Sequence, residues 1–389
     1  MERHLSAQTQ FFQTPVLRQI TNRVREVGGI NLGQGVCNLA PPTEMIEAAE
    51  RAMRGGINLY TDPRGLASLR EAIAEKLRRD NGIGAEADSG VLVTCGATGA
   101  FEAVCGVLLN PGDKVLVFEP SYPYHLQALK RYQAEVITIP LLGPDWSVDF
   151  DQVAEALSQN PKFILVNTPG NPTGKVWQKA ELEKLADLLE PTETLLVTDE
   201  IYEYMVFDGE SHLSPASLDR LKDKTLTMGG FSKTFAITGW RIGFLHVPAV
   251  LEPHFVRFLD AVYVCPPAPL QQGVAEMLAV HGETYLPKIA AKYQAKRDLF
   301  AQGLTSLGFA PLPLKGAYYL LASWPETLGC LDSVEASYRL IESSGVGAVP
   351  SSDFVRNHHD SPWLRFCLAH DEPVLEEALD RLSSAFARL

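Results

Sequence analysis

The amino-acid sequence predicts an α/β protein: a large domain with a mainly parallel seven-stranded sheet, joined to a smaller α+β domain. Short apolar runs without polar alternation recur between residues 90 and 247, which is typical of strands covered on both faces. Helical stretches alternate with these runs. After about residue 283, a long helical stretch leads into further mixed segments, which indicates a second unit.

The first segment is predicted to be an N-terminal arm, residues 1–42. Apolar side chains recur at near-helical spacing over residues 16–27, and two glycines then end the helix. Residues 31–42 are punctuated by glycine and proline, which predicts a loop. We expect this arm to pack on the smaller domain.

The large domain is predicted over residues 43–283. It should begin with helices at about 43–54 and 64–80, the second ended by Asn81 and Gly82. Another helix is expected over Phe101–Leu109. The predicted strands are Val91–Cys95, Lys114–Glu119, Glu135–Pro140, Phe163–Asn167, Leu195–Thr198, Leu226–Met228 and Ile242–Val247.

The small domain is predicted over residues 284–389. Its helical stretch includes residues 290–300 and leads to the apolar segment 316–322. A helix near 332–344, a strand at Trp363–Leu368 and a closing helix at 373–388 follow.

Composition narrows the classes of function. The chain has 389 residues, 46% of them hydrophobic, and a formal charge of -13, which argues against a nucleic-acid partner. No apolar run is long enough to span a membrane, and the N terminus lacks the apolar core of a signal peptide. The six cysteines form no CxxC pair and indicate reduced thiols, so we expect a cytoplasmic protein.

The segment Met228–Phe244 contains the most informative lysine. Lys233 lies among small and apolar residues, and Arg241 follows eight residues later. Desolvation and a neighbouring cation both lower a lysine pKa and produce a nucleophilic amine. Arg241 offers the planar donor fork that suits a phosphate. An ordinary partly buried lysine is the alternative explanation of this segment taken alone.

Further candidate residues follow the predicted strands, where an open α/β sheet binds its ligand. A helix N terminus after the first strand offers an anion site, and an aspartate directly follows a buried run. Taken singly, a plain turn or a helix N-cap explains each of them equally well. These residues are Gly96, Ala97, Thr98, Tyr122, Asn171, Asp199 and Tyr202.

Together, three motifs resemble one family. They are Asn171-Pro-Thr-Gly174, Asp199-x-x-Tyr202, and Ser232-Lys233 with Arg241. The chain resembles the class I/II aminotransferases, in the aspartate aminotransferase-like fold-type I family of pyridoxal 5'-phosphate (PLP) enzymes, from about residue 12 to its end. The branch that includes kynurenine/glutamine and methionine/aromatic aminotransferases is the most similar.

The resemblance implies roles for the cofactor-binding residues. Lys233 would form the internal aldimine with PLP and then move the proton between Cα and C4′. Asp199 would pair with the pyridine nitrogen, so that the ring accepts electrons. Tyr202 and Asn171 would bind the phenolic oxygen, and Tyr122 would stack on the ring. The phosphate would be bound by Gly96, Ala97, Thr98, Ser232 and Arg241.

The resemblance also implies how substrate and partner are bound. Arg365 lies in an apolar strand-like run and would clamp the substrate α-carboxylate, helped by Asn171 and the Gly35 backbone. A structural ion pair is the alternative for this arginine. Tyr60 matches a tyrosine that reaches into the partner subunit's site, which implies a homodimer with shared sites.

Some details depart from the family or concern its backbone. Many relatives have a phosphate-binding serine or threonine where this chain has Gly230, which bears on cofactor affinity. The Glu119–Pro120 and Asn171–Pro172 bonds resemble positions that are cis in the family. We expect no metal site and interpret His358-His359-Asp360 as a solvated loop.

The predicted function is a PLP-dependent aminotransferase working by a ping-pong mechanism on neutral, aromatic or methionine-like amino acids and a 2-oxo acid. An apolar pocket formed by residues 12–20, Tyr122 and Tyr318–Tyr319 would favour such donors, although core packing explains the last two equally well. The sequence identifies no second cation for a distal carboxylate. The alternatives are a cysteine-conjugate C–S β-lyase and an inactive homologue that acts as a binding module.

Overall fold

The computed structural model describes residue 9, residues 16–356 and residues 360–388. Within these residues the strands are β1 Ile30–Asn31, β2 Val91–Cys95, β3 Lys114–Glu119, β4 Glu135–Pro140, β5 Phe163–Asn167, β6 Leu195–Asp199, β7 Thr225–Gly230, β8 Ile242–His246, β9 Ala310–Pro311, β10 Tyr319–Ser323, β11 Val346–Gly347, β12 Val349–Pro350 and β13 Leu364–Cys367. The α-helices are α1 Val16–Glu26, α2 Thr43–Arg54, α3 Ala67–Asn81, α4 Gly96–Leu108, α5 Pro123–Arg131, α6 Phe150–Leu157, α7 Lys179–Leu189, α8 Glu252–Tyr263, α9 Ala268–Glu276, α10 Gly282–Tyr285, α11 Lys288–Ser306, α12 Ser333–Ser344 and α13 Glu372–Phe386.

A seven-stranded sheet forms the centre of the molecule. Its strand order is β2-β8-β7-β6-β5-β3-β4, and β8 runs antiparallel to both of its neighbours while the other strands are parallel. Along β5, Phe163 and Leu165 belong to one apolar core, whereas Ile164 and Val166 belong to the core on the opposite face. This two-sided burial explains why the strands lack polar alternation, and it confirms the predicted mainly parallel sheet.

A second, four-stranded sheet has the order β12-β13-β10-β9 and is antiparallel. The N-terminal segment contacts the elements around this sheet: β1 pairs in parallel with β11, and Ile20 and Val24 of α1 pack against Ile341 of α12. Residue Tyr319 of β10 lies opposite Cys367 of β13 in the pairing register. Because alternate residues of a strand share a face, this register places Tyr319 and Arg365, two residues of the candidate site, on the same face of the sheet.

Two helix starts differ from the predicted ones. The helix after β2 begins at Gly96 rather than at Phe101, because Gly96 has a φ of +69° and turns the chain directly from strand into helix. The helix predicted from residue 64 begins at Ala67, after Gly65 with a φ of +100°. The predicted cis bonds at Glu119–Pro120 and Asn171–Pro172 are present, and Thr168–Pro169 is also cis.

Two kinds of structural feature are absent from the described residues. None of the helices there combines the length and apolar character needed to cross a membrane. Likewise, the described part of the chain contains no group of three or more His, Cys, Asp or Glu side chains placed to hold a metal ion. The interpretation of His358 and His359 as a solvated loop lies outside the described residues.

Candidate active site

The candidate site is a cavity of about 170 Å³ at the carboxyl ends of the central strands. Among its lining residues are Ala97, Thr98, Tyr122, Asn171, Asp199, Tyr202, Ser232, Lys233 and Arg241. An adjoining chamber of about 150 Å³ shares Lys233 and is also lined by Gly35 and Arg365. The structure therefore brings together residues that the sequence separates by up to about three hundred positions.

Lys233 lies just after β7, where the two cavities meet. Its Nζ donates a hydrogen bond of 2.8 Å to the carbonyl oxygen of Gly35. Burial lowers the pKa of Lys233 to about 8, and the positive charges of Arg365 and Arg241 act in the same direction. A neutral, nucleophilic amine is therefore available far below the usual pH range of a lysine.

Asp199 is the last residue of β6 and is buried. Its Oδ2 lies 3.1 Å from Nε2 of His125, and its Oδ1 accepts a hydrogen bond of 3.3 Å from the backbone N–H of Ile201. The His125 ring is tilted against Phe101 and meets Tyr122 edge-on. These contacts fix the direction in which the carboxylate faces the cavity.

His125 is a site residue that the sequence analysis missed. A signal was available, because His125 follows Tyr122 by three residues at the start of α5 and such a pair lies on one side of a helix. The buried carboxylate that it contacts lies on a distant strand, so only the fold shows the partner.

An anion cradle is formed by the N terminus of α4 and Arg241. The guanidinium donates to the carbonyl oxygens of Thr238 and Cys95, at 3.1 and 3.3 Å. It lies so close to Gly96 that an added Cβ there would be 2.6 Å from Nη2. Backbone N–H groups, a helix N terminus and a cation therefore converge on one corner of the cavity, which suits a phosphate.

Gly230 ends β7 directly behind this cradle. A Cβ added at Gly230 would lie 3.6 Å from the backbone nitrogen of Ala97 and 3.4 Å from Cα of Gly243, which is ordinary van der Waals contact. The position therefore has room for a small side chain facing the cradle. The absent hydroxyl leaves the cradle with one fewer side-chain donor than a serine would supply.

Arg365 lies on β13, is 3% exposed and contacts neutral oxygens. Its Nη1 donates to Oδ1 of Asn171 and its Nη2 to the carbonyl oxygen of Gly33, both at 2.8 Å. The guanidinium lies between the rings of Tyr319 and Phe354, at 4.1 and 4.7 Å from their centroids. Its Nε is buried and finds no hydrogen-bond partner among the described residues. Such a cation fits an incoming planar carboxylate.

The tyrosines around Lys233 have distinct environments. The hydroxyl of Tyr202 lies 3.2 Å from that of Tyr319, and burial raises the pKa of both phenols. Tyr318 is fully buried, stacks on Tyr293 and donates to the carbonyl oxygen of Gly35 at 3.2 Å. Tyr319 lines the chamber. Core packing therefore explains Tyr318, and pocket lining explains Tyr319.

Tyr60 is not brought into this site. Its side chain is 84% exposed and does not line either cavity of the single chain. Leu59 beside it is equally exposed, at 82%. The two residues are an exposed apolar pair on the surface of the single chain.

The residues present fit PLP chemically. The cradle at α4 and Arg241 suits its phosphate, and the buried carboxylate of Asp199 suits its protonated ring nitrogen. Lys233 supplies an amine with a lowered pKa in the same cavity. Glycine at residue 96 leaves the space that the Arg241 guanidinium occupies beside the start of α4, since an added Cβ there would clash with it.

Comparisons with known proteins give one family. The family model for class I and II aminotransferases matches residues 27–382. A probable N-succinyldiaminopimelate aminotransferase from Mycobacterium tuberculosis is 34% identical over 383 residues, covering 96% of each chain. The methionine aminotransferase of Escherichia coli is 31% identical over 369 residues, covering 95% of each chain. The aspartate/prephenate aminotransferase of Thermus thermophilus is 34% identical over 364 residues, covering 92% of this chain and 91% of that relative.

Solved structures agree with the sequence matches. The Mycobacterium tuberculosis N-succinyldiaminopimelate aminotransferase superposes with a TM-score of 0.93 and 34% identity, covering 98% of this chain and 100% of that one. The Escherichia coli methionine aminotransferase also gives 0.93, with 30% identity over 98% and 99% of the two chains. These results confirm the predicted family, fold and cofactor. The chain belongs to the class I and II aminotransferases, PLP-dependent enzymes of fold type I.

Proposed function

We propose that this aminotransferase takes the amino group from a neutral L-amino acid, with aromatic residues and methionine favoured. It would pass that group to a 2-oxo acid in a ping-pong mechanism. The arrangement of Lys233 and Arg365 in one largely aromatic chamber carries the proposal. One end of the chamber would bind the α-carboxylate, and the other would present the amine that moves the α-proton.

Lys233 would bind the cofactor covalently through Nζ and, once released, move a proton to and from the substrate Cα. Its lowered pKa, about 8, suits both tasks at moderate pH. Asp199 would keep a proton on the pyridine nitrogen, and His125 would fix the orientation of the carboxylate. When bound, the cofactor supplies an aldehyde and an electron sink.

The remaining roles follow the shape of the cavity. Arg365 would bind the substrate carboxylate through its guanidinium. Two of its nitrogens now donate to neutral oxygens, and its Nε has no partner among the described residues. Asn171 would orient the carboxylate. Tyr202 and Asn171 would bind the phenolic oxygen, and Tyr122 would stack on the ring. We assign phosphate binding to Gly96, Ala97, Thr98, Ser232 and Arg241.

The substrate side chain would occupy the outer part of the chamber, whose composition favours neutral donors. Aromatic and aliphatic side chains line it, and among the described lining residues the cations are Lys233 and Arg365, both already assigned. Beyond these two, a distal carboxylate would meet no further cation among the described residues that line the chamber. Besides Lys233 and Arg365, the chamber is lined by Leu17, Gln34, Gly35, Val36, Tyr122, Pro123, Tyr124, Tyr202, Tyr319, Asp353 and Phe354.

A donor panel tests this specificity. We expect kcat/KM for phenylalanine, tyrosine or methionine to exceed that for aspartate and glutamate by at least about tenfold, because a buried charge without a partner is costly.

Two outcomes of the panel would contradict the proposal. Aspartate or glutamate as the best donor would mean that a second cation reaches the chamber. Release of pyruvate and ammonia from a cysteine conjugate, without transfer to any 2-oxo acid, would indicate the C–S β-lyase instead.

We also propose a homodimer in which Tyr60 reaches the partner subunit's site. The exposed pair Leu59–Tyr60 supports this, because such exposed apolar groups mark contact surfaces. All six cysteines are free thiols, which supports a reducing compartment, and we propose the cytoplasm.

A further inference from the structure

Tyr319 stands between the two halves of the site. In the antiparallel pair β10–β13 it lies opposite Cys367, which makes Arg365 its diagonal neighbour on the same face. Its ring centroid is 4.1 Å from the Arg365 guanidinium. A cation over an aromatic face is held by the ring quadrupole, and the contact is strongest where water is excluded. The ring therefore helps to fix the carboxylate anchor.

The hydroxyl of the same side chain reaches the cofactor half of the site. It lies 3.2 Å from the hydroxyl of Tyr202, and both tyrosines are buried. The space for it depends on Gly35, where an added Cβ would be 2.0 Å from the Tyr319 oxygen. A glycine at residue 35 therefore lets one tyrosine contact Arg365 with its ring and Tyr202 with its hydroxyl.

The direction of this hydrogen bond follows from proton counting. A phenol has one proton to donate. If Tyr202 donates to the phenolic oxygen of the cofactor, as the proposed function requires, its own oxygen must accept from Tyr319. A donor in such a chain polarises the next O–H group and strengthens its donation. The Tyr319 hydroxyl would then favour the deprotonated, anionic form of that phenolic oxygen.

We propose that Tyr319 is a positioning residue that couples the carboxylate anchor Arg365 to Tyr202. The ring orients the guanidinium, and the hydroxyl strengthens the hydrogen bond that Tyr202 donates. This inference rests on the proposed function, because it assumes that Arg365 binds the substrate carboxylate and Tyr202 the cofactor. The inference adds Tyr319 to the site, with a ring that acts on the residue binding the substrate and a hydroxyl that acts on the residue binding the cofactor.

The test separates the ring from the hydroxyl in the holoenzyme. Tyr319→Phe should raise the pH midpoint of the bound cofactor's absorbance change by about half a pH unit, the size expected when one hydrogen bond favouring the anionic form is lost. The same variant should bind the unreactive carboxylate propanoate, which has no large side chain to contact the chamber lining, within about twofold of the wild-type affinity. Tyr319→Leu, which also lacks the ring, should bind this probe at least about fivefold more weakly.

Tyr293→Phe is the matched control. It also removes a buried tyrosine hydroxyl with a side-chain partner, Cys37 at 3.2 Å, but that hydroxyl does not contact Tyr202. Its midpoint and probe affinity should equal those of the wild type. A shift of the same size in Tyr293→Phe would show a general packing effect and overturn the inference.

The failures of the two proposals are distinguishable. A wild-type protein without a pH-dependent cofactor band or without turnover would contradict the proposed function. A normal wild-type protein whose midpoint is unchanged in Tyr319→Phe would overturn only the role of the hydroxyl. If Tyr319→Leu does not fold, the phenylalanine variant still decides that point, since it retains the ring.

Discussion

At the scale of single residues, burial and neighbouring charge set the chemistry of Lys233. Its surroundings make the protonated amine unfavourable, and burial is the largest cause of its lowered pKa. Arg365 and Arg241 add to the effect from two directions. The two cations that would bind the carboxylate and phosphate therefore also help to prepare the amine.

The lowered pKa gives a prediction for the apoprotein. A neutral amine attacks the cofactor aldehyde, and the neutral fraction grows as pH rises through the pKa. We expect the rate of PLP capture to rise with pH to a midpoint near 8 rather than near the ordinary lysine value of 10.5. Stopped-flow absorbance measures this rate, with Lys233→Ala as the control that forms no covalent bond. A midpoint above pH 10 would contradict the account.

The sequence could predict some site residues and not others for physical reasons. Asp199 ends a central strand, and Asn171 and Lys233 lie in the turns after two others, where an α/β sheet binds its ligand. Phe354 contacts Arg365 from the position directly after a short 3-10 turn, where no sequence pattern marks it. The contact of the Tyr319 ring with Arg365 depends on the β10–β13 register, which pairs residues almost fifty positions apart.

At the scale of elements, the junction of β2 with α4 builds the phosphate cradle. Gly96→Ala would place a Cβ 2.6 Å from the Arg241 guanidinium and force one of them to move. We expect PLP affinity to fall at least about tenfold, because a charge-assisted contact would be displaced. Equilibrium dialysis of the apoprotein measures this affinity.

Gly28→Ala is the matched control for that substitution. Gly28 has a φ of +64°, close to the +69° of Gly96, but an added Cβ there would meet nothing within 4 Å. Both variants carry similar backbone strain, so only the steric clash differs. Equal losses of PLP affinity in the two variants would contradict the role of the cradle.

A buried ion pair links α3 to the segment that carries Tyr202. Lys76 and Glu203 form a salt bridge, with side chains 1% and 6% exposed, and Asn81 donates to Glu203 at 2.8 Å. Lys76→Met should lower the free energy of unfolding by about 3–5 kcal/mol, since it leaves a buried carboxylate without its cation. Chemical denaturation measures the change.

The double variant Lys76→Met/Glu203→Met and an exposed control complete this test. The double variant should recover much of the lost stability, because no buried charge is left unpaired. Lys222→Met, which breaks an exposed pair with Asp219, should change stability by less than about 1 kcal/mol. Equal effects of Lys76→Met and Lys222→Met would show that burial of the pair is irrelevant.

Strand positions were more predictable than helix starts. Seven apolar runs gave the seven strands of the central sheet because alternate side chains enter two separate cores, as along β5. The start of α4 was misplaced because a single glycine φ moves the helix start to the end of the strand. Glycine is needed at residue 96 because Arg241, from a distant segment, packs against it, and the sequence near residue 96 does not show this contact.

At the scale of the whole molecule, the proposed homodimer makes a prediction about mixed subunits. We expect Tyr60→Ala and Lys233→Ala to be weakly active or inactive alone. If Tyr60 serves the partner's site, each mixed dimer contains one intact site, so random mixing should restore about a quarter of wild-type activity. Activity after mixing that stays at the level of the parents would place Tyr60 in its own subunit's function or outside the site.

We propose transfer of an amino group from a neutral amino acid, through this enzyme, to a 2-oxo acid. Its most direct test is a single-turnover absorbance titration of the holoenzyme with phenylalanine or methionine, followed by a 2-oxo acid. We expect the cofactor band to be lost as excess donor is added and, after the donor is removed, to return on addition of excess 2-oxo acid, because each half-reaction is reversible. A band that stays unchanged with every neutral donor, or that is lost and never returns, would contradict it.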